Sequence, residues 1–346
     1  MRKVSVIGTV GLPACYGGWE TLVENLVNYK SDDIEYSVYC SSKSYTKKNE
    51  YHNGAKLIYI PLSANGKSSI LYDIFSMLHS LIKKPDVVLI LGVSGCIFLP
   101  FFKLLSKSKL VVNVDGIEWK RDKWSGFAKR FLKISEAIAV KYSDVVLSDN
   151  QGIQEYLASE YSIKAEVIAY GGDHALTQFS KSELGDYFFS VCRIEPENNI
   201  HLILEAFSIG SQKIKIVGNW NASRYGQDLK NKYHKFHNIS LIDPIYDINE
   251  LGKLRSGCKG YIHGHSVGGT NPSLVEIMHF GKNIIAFDCN FNRYTTQNHA
   301  LYFKNVKDLL SVVEGLDNIE NIMMKNIARK EYTWEFISKK YENVFR

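Results

Sequence analysis

The chain has 346 residues, room for two domains at about 150 residues each. Hydrophobic residues make up 45% and charged residues 23%, with 42 Lys+Arg against 36 Asp+Glu for a formal charge of +6. That balance excludes a disordered, collagen-like or disulfide-built chain and supplies a core that needs no metal or disulfide staples. The cysteines (Cys15, Cys40, Cys96, Cys192, Cys258 and Cys289) lie no closer than 25 residues apart, so no CxxC or local zinc spacing exists, and unpaired thiols in a reducing compartment are expected.

MRKVSVIG has too few apolar residues before Gly8 for a secretory signal and reads as a first strand, VSVIG (4–8). The loop GTVGLPACYGGWET (8–21) follows, with Gly17 and Gly18 ahead of a helix near Glu20. Glycines before a helix N-terminus allow close backbone approach to an anion, or only a turn. The spacing is not GxGxxG, and no acidic residue closes the second strand, YSVYC (36–40), so a nicotinamide cofactor is disfavoured. LIYI (57–60) is a third strand. NGKSS (65–69) is no Walker A motif, because Pro61 stands where the first glycine belongs.

Helical spacing covers 73–84, and the 16 uncharged residues between Asp86 and Lys103 are too short and too glycine-broken to span a membrane. They read as a strand (VVLIL, 87–91), a turn and a helix start. LVVNV (110–114) and VVLS (145–148) complete this half. The pattern restarts near 187 with YFFSVCR, KIKIVG, ISLID, GYIHG and NIIAFD alternating with helical segments. Nearly continuous apolar strands alternating with helices predict parallel sheets covered on both faces. The polar segment 171–186 reads as a linker, and 332–346 as one amphipathic helix with Tyr332, Phe336, Ile337 and Tyr341 on its apolar side. No Asp-x-Asp occurs, which argues against metal-held sugar nucleotides.

The richest segment is HGHSVGGTNPSLVEIMHFGKNIIAFD (263–288). Gly268, Gly269, Thr270 and Asn271 form a loop after a strand, and Pro272 opens a helix. The N–H groups of Ser273 and Leu274 are expected to face a diphosphate, and Glu276 a ribose. His263 and His265 alternate on the strand and line a pocket or fill the core; two histidines alone are no zinc site.

This segment resembles the C-terminal signature of GT-B glycosyltransferases of retaining family four, with Glu276 matching the second of two glutamates and Gly268 standing at the first. In VCRIEPENN (191–199), Arg193 matches the family's diphosphate-binding Arg, while Asn198 stands at its Lys. With the opening loop and NVDGIEWKRDKWSGFAKRF (113–131), the resemblance narrows to bacterial polysaccharide rhamnosyltransferases and spans nearly the whole chain. It implies two Rossmann-like domains facing across a cleft: an acceptor domain (1–172), a nucleotide-sugar domain (173–331) and a C-terminal helix (332–346) packing back on the first.

It further implies transfer of L-rhamnose from dTDP-rhamnose to a polyprenyl-diphosphate-linked saccharide for capsule or O-antigen, without metal or further cofactor. Gly17, Gly18, Arg193, Asn198, Gly269, Thr270, Asn271, Ser273, Leu274 and Glu276 bind the donor, and His265 and Gly268 line the sugar pocket. Gly268 in place of glutamate suits a 6-deoxy sugar. Asp115 or Glu118 is the catalytic carboxylate that takes the acceptor hydroxyl proton or orients it, unless the leaving phosphate takes that proton, or Asp115 merely caps a turn.

Residues 120–141 carry seven basic and two acidic residues among aromatics; Lys120, Arg121, Lys123, Trp124, Lys129 and Arg130 are read as contacts to an anionic membrane and acceptor, or as a solvated basic face. The implied place is the cytoplasmic face of a bacterial plasma membrane, with no nucleic-acid partner. UDP- or GDP-sugar transfer, a sugar-nucleotide epimerase and a degenerate binding domain remain the alternatives.

Overall fold

The computed structural model describes residues 1–15, 17–121, 124–177, 183–316 and 321–346. The chain divides into two compact units, Met1–Ala169 with Trp334–Arg346, and Tyr170–Thr333.

In unit 1 the strands are β1 (Arg2–Ile7), β2 (Ile34–Ser41), β3 (Tyr51–His52), β4 (Ala55–Ile60), β5 (Val87–Leu91), β6 (Lys109–Asn113), β7 (Val145–Ser148) and β8 (Glu166–Val167). The helices are α1 (Gly18–Asn28), α2 (Ser69–Lys83), α3 (Leu99–Leu105), α4 (Gly126–Tyr142) and α5 (Gln151–Tyr161). The sheet order is β3-β4-β2-β1-β5-β6-β7-β8, parallel except for the β3–β4 pair. β5 is buried at every position, which is why its sequence runs VVLIL without alternation.

The chain starts at the centre, winds one way to β4, then crosses back to β5 and winds the other way. β1 and β5 therefore flank the point where strand order reverses, the place where open α/β sheets leave a crevice at the strand carboxyl ends.

Unit 2 repeats the plan. Its strands are β9 (Phe188–Val191), β10 (Ile214–Val217), β11 (Ile239–Ile242), β12 (Gly260–His263), β13 (Asn283–Phe287) and β14 (Leu301–Phe303), ordered β11-β10-β9-β12-β13-β14 and parallel throughout. Helices α6 (Ile200–Ile209), α7 (Arg224–Tyr233), α8 (Ile248–Gly257) and α9 (Pro272–Met278) join them. β9 and β12 flank this unit's reversal.

Four elements depart from the sequence reading. The short strands β3, β8 and β14 had no periodic signal; two- and three-residue pairings are too brief to show alternation. The last helix is Trp334–Phe345 and belongs to unit 1, with Tyr341 Oη accepting from Asn113 Nδ2 at 3.0 Å. Tyr332, expected on that helix, instead caps unit 2: its hydroxyl donates to the Thr295 carbonyl and its own carbonyl accepts from Gly172 N. Among the described residues no helix is long and apolar enough to cross a membrane.

Asp73 on α2 is buried and accepts a hydrogen bond from Ser94 Oγ at 2.7 Å. Burial pushes its carboxyl up to about 7, against the lowering by that hydroxyl and the Gly95 backbone. The folded chain thus keeps a proton that the unfolded chain releases near pH 4. The contribution of Asp73 to stability therefore falls as pH rises through the window from about 4 to about 7. Asp73→Asn, always neutral, is expected to flatten that fall, so urea melts at about pH 5 and about pH 8 should differ less in the variant than in the native chain.

Candidate functional site

The two loops singled out in the second half are the two that flank the reversal in unit 2. The loop after β9 carries Arg193 and Asn198; the loop after β12 carries His265 to Asn271. They are joined by direct bonds. Asn198, 4% exposed, donates through Nδ2 to the Arg193 carbonyl at 2.7 Å, and its Oδ1 faces His265 Nδ1 at 2.8 Å. Asn199 Nδ2 donates to the Gly264 carbonyl, and Ser266 N to the Glu197 carbonyl. A Cβ on Gly264 would lie 2.0 Å from the Asn198 carbonyl oxygen, so only glycine allows the two loops this close. Asn198 is therefore a joint between the loops, with its amide already engaged; it does not replace the positive charge of a phosphate-binding lysine.

Arg193 is half-exposed, its Nε 3.7 Å from Glu195 Oε2. An exposed pair of that length is weak, so the guanidinium stays available to an incoming anion. Gly268 has φ +111°, and a Cβ there would meet His265 Nε2 at 3.4 Å. Thr270 is buried beside it.

The helix start differs from expectation. Asn271 caps α9, with Oδ1 accepting from Ser273 N at 3.1 Å and from Ser273 Oγ at 2.8 Å, and its carbonyl accepts from Leu274 N. The two N–H groups assigned to a diphosphate are thus engaged by the cap, because Asn is among the best N-cap residues and no sequence reading tells a cap from a ligand contact.

Glu276 is held from two sides. Arg255, on α8 and 4% exposed, forms a short ion pair with Oε2, and His174 Nε2 lies 3.3 Å from Oε1. Desolvation alone would raise the carboxyl, but the Arg255 and His174 contacts outweigh it and hold it below the ordinary glutamate range. His174 reaches it because the 170–175 segment lies against α9: a Cβ on Gly172 would stand 2.7 Å from the Val275 carbonyl group.

Neither Arg255 nor His174 figured in the sequence reading. The available signal was an arginine on the inward face of α8 with Gly252 and Gly257; His174 sits in a segment that reads as a plain linker. His263 is buried, its ring 6.1 Å from that of His265, and burial drives it down to about 3, so it is neutral; its Nε2 has no hydrogen-bond partner among the described residues. Among the described residues no three His, Cys, Asp or Glu side chains gather as a metal site.

In unit 1, Gly17 caps α1 at φ +112° and Gly18 begins the helix. The loop ahead of them is braced by Glu20, which sequence reading passed over: its Oε1 accepts from Thr9 Oγ1 and Val10 N, both at 2.7 Å. Asp115, after β6, has φ +65°, a left-handed conformation that Asp tolerates better than most residues but still at some cost. Glu118 is engaged within its own segment, by Trp124 Nε1 at 3.0 Å and Arg121 Nη1 at 3.2 Å, and serves as a brace.

The basic segment also turns inward. Trp119 Nε1 donates to Tyr156 Oη at 3.1 Å, and Lys120 lies over the Trp119 and Tyr156 rings. Lys129 is half-buried and Arg130 exposed; Lys123 lies outside the described residues.

Two doubly wound units, with joined loops at the second reversal and a fixed carboxylate on the helix that follows, define a Rossmann-like two-unit α/β scaffold. Residues 1–173 match the family described as "Domain of unknown function (DUF1972)", and the chain belongs to it. Residues 175–330 match "Glycosyl transferases group 1". The chain is a glycosyltransferase of GT-B fold.

The fold is similar to that of sucrose-phosphate synthase from Thermosynechococcus elongatus, at 12% identity and TM-score 0.82, covering 100% of this chain and 98% of that one. It is similar to Anabaena HepE in complex with UDP-glucose, at 12% identity and TM-score 0.74, covering 99% of each chain. A glycosyltransferase from Rickettsia africae is similar at 14% identity and TM-score 0.71, covering 99% of this chain and 97% of that one. No curated protein matches the sequence.

Breaking a buried ion pair leaves an uncompensated charge. Arg255→Met is therefore expected to destabilise unit 2 by about 3–5 kcal/mol at neutral pH. Glu276 stabilises the fold above the ordinary carboxylate pKa and loses that contribution as pH falls below about 4. The deficit of the variant should accordingly shrink in urea melts taken below about pH 4.

Proposed function

We propose that the chain transfers L-rhamnose from dTDP-rhamnose to a polyprenyl-diphosphate-linked saccharide at the cytoplasmic face of a bacterial membrane, with retention of anomeric configuration. The observation that carries the donor half is the junction at the reversal of unit 2. The β9 and β12 loops are locked through Asn198 and His265, and Arg193 is presented beside them with only a weak partner.

In this reading Arg193 meets the diphosphate bidentately, and the Gly269–Thr270 backbone and His265 line the sugar. Glu276, oriented by Arg255 and His174, accepts from the ribose hydroxyls through its remaining lone pairs. Gly268 removes a polar contact that a 6-deoxy sugar does not need. On the acceptor side, Asp115 at the carboxyl end of β6 orients the hydroxyl, while Glu118 supports the segment. In a front-side displacement the leaving phosphate takes the acceptor proton, so no side-chain base is required.

A UDP-sugar is the second reading, favoured by the likeness to HepE in complex with UDP-glucose. Epimerase activity and a degenerate binding domain have no comparable support.

Thermal shift with dTDP, UDP, GDP and NAD, without added metal, separates these. A rise with dTDP above the others is expected; a larger rise with UDP replaces the donor, and none with any nucleotide removes the reading. Arg193 is half-exposed, so Arg193→Ala should fold normally yet weaken the favoured nucleotide diphosphate by about 10- to 100-fold, the worth of a charge-assisted contact. Unchanged affinity would remove Arg193 from the site.

A further inference from the structure

We infer that the outer face of α2 and α3, continuing onto α4, is the surface by which unit 1 docks on an anionic lipid bilayer. This deepens the lipid-linked-acceptor reading and rests on it for its purpose, but not for its evidence.

These helices lie on one side of the sheet. Each connects a strand to one further along in the same direction (β4 to β5, β5 to β6, β6 to β7), and right-handed crossovers then place all three on the same face. α2 packs beside α3, and α3 beside α4.

The polarity of α2 is inverted. Its buried face is Tyr72, Asp73, Ser76, Met77 and Ser80. Its outward face is Leu71, Phe75, Leu78 and Ile82, a stripe with spacings of four, three and four, between 39% and 74% exposed. A helix covering a sheet ordinarily shows the reverse. α3 continues the patch with Phe101, Leu104 and Leu105, of which Leu104 is 84% exposed, and Phe98 stacks on Phe101. Seven large apolar side chains on two adjoining helices are a contiguous patch, not scattered surface residues, and such patches mark interaction sites.

The charge around the patch fits one partner. Segments 66–84, 96–109 and 126–142 hold ten basic residues and two acidic ones. Both acidic residues, Asp73 and Glu136, are buried, so these segments offer solvent no carboxylate. Lys83 and Lys84 stand exposed at the end of α2, Lys107 just past α3, and Arg130 on α4 beside the 85%-exposed Phe127. Apolar side chains rimmed mainly by cations complement the headgroup–acyl boundary of an anionic leaflet; of the exposed carboxylates nearby, Asp144 is held by Lys103 and Asp86, three residues past α2, accepts from Lys3 N. This moves the membrane surface away from the 119–124 stretch, whose tryptophans are engaged within unit 1.

The test is flotation of the full chain with vesicles of phosphatidylcholine containing phosphatidylglycerol, against phosphatidylcholine alone, with light scattering of the free protein. Expected is binding to the anionic vesicles that weakens with salt. Phe75→Ser with Leu104→Glu should lower that binding by about tenfold or more, and Lys83→Gln with Lys107→Gln should lower it and reduce its salt dependence. Circular dichroism and sugar transfer to a water-soluble acceptor should stay unchanged in both double variants, since none of these residues belongs to the donor or acceptor site.

The inference is overturned if the native chain ignores anionic vesicles, or if Phe75→Ser/Leu104→Glu floats as well as the native chain. It is equally overturned if the chain is a dimer that this variant dissociates while vesicle binding is absent, because a second copy then covers the patch. Vesicle binding by a chain that transfers no sugar leaves the surface standing and removes the proposed reaction instead.

Discussion

Pairing between β9 and β12 extends over only two residue pairs, Gly260 with Phe188 and Tyr261 with Phe189. Gly260 makes even that much possible, since a Cβ there would press on the Phe188 ring at 3.1 Å. Beyond those pairs the ladder ends, and the two following loops meet at Asn198, Asn199 and Gly264. Everything assigned to the donor follows from this: the crevice exists because strand order reverses there, and it holds its shape because Asn198 and Gly264 lock one loop to the other. The chemistry of Arg193 and His265 depends on a joint made mostly of backbone and amide.

Buried carboxyl groups are used in the same way throughout. Glu20 fixes the loop after β1, Asp73 meets the turn after β5 through Ser94, and Glu276 ties α8 and the 170–175 segment to α9. Each is buried or nearly so, and each is satisfied by donors from a different segment than its own helix. A buried carboxyl group satisfied in this way adds little net stability over apolar packing, but a wrong arrangement leaves it without its donors, so it specifies one loop conformation over others. A binding site made of loops on a rigid sheet has use for that specification, because apolar packing alone does not fix where a loop points.

Handedness has a comparable reach in unit 1. Because successive crossovers in one direction stack their helices on one side, α2, α3 and α4 share a face, while α1 and the C-terminal helix Trp334–Phe345 share the other. The apolar stripe of α2 would be unremarkable if another layer covered it. Within unit 1 it points to solvent, and the lysines at the helix ends give it an electrostatic preference.

The sequence by itself determined the class of fold and most of the sheet. Runs such as VVLIL and LVVNV can hardly be anything but doubly covered strands, and the restart near 187 announced a second unit. It also marked the loops around Arg193 and Gly268, since glycine, asparagine and proline at strand-to-helix junctions leave local signals. What only the tertiary structure decided is which partner each polar group meets. Asn198 could have faced a phosphate but bridges to His265; the Ser273 and Leu274 N–H groups are taken by the Asn271 cap; Glu118 is held by Trp124. Arg255 and His174 reach Glu276 from 21 and 102 positions away in the chain. The α2 stripe reads as core by its spacing, and only the placement of the sheet shows that it faces outward. Periodicity is a local property and survives in one dimension; hydrogen-bond and charge partners are set by loop closure in three, and no spacing in the sequence encodes them.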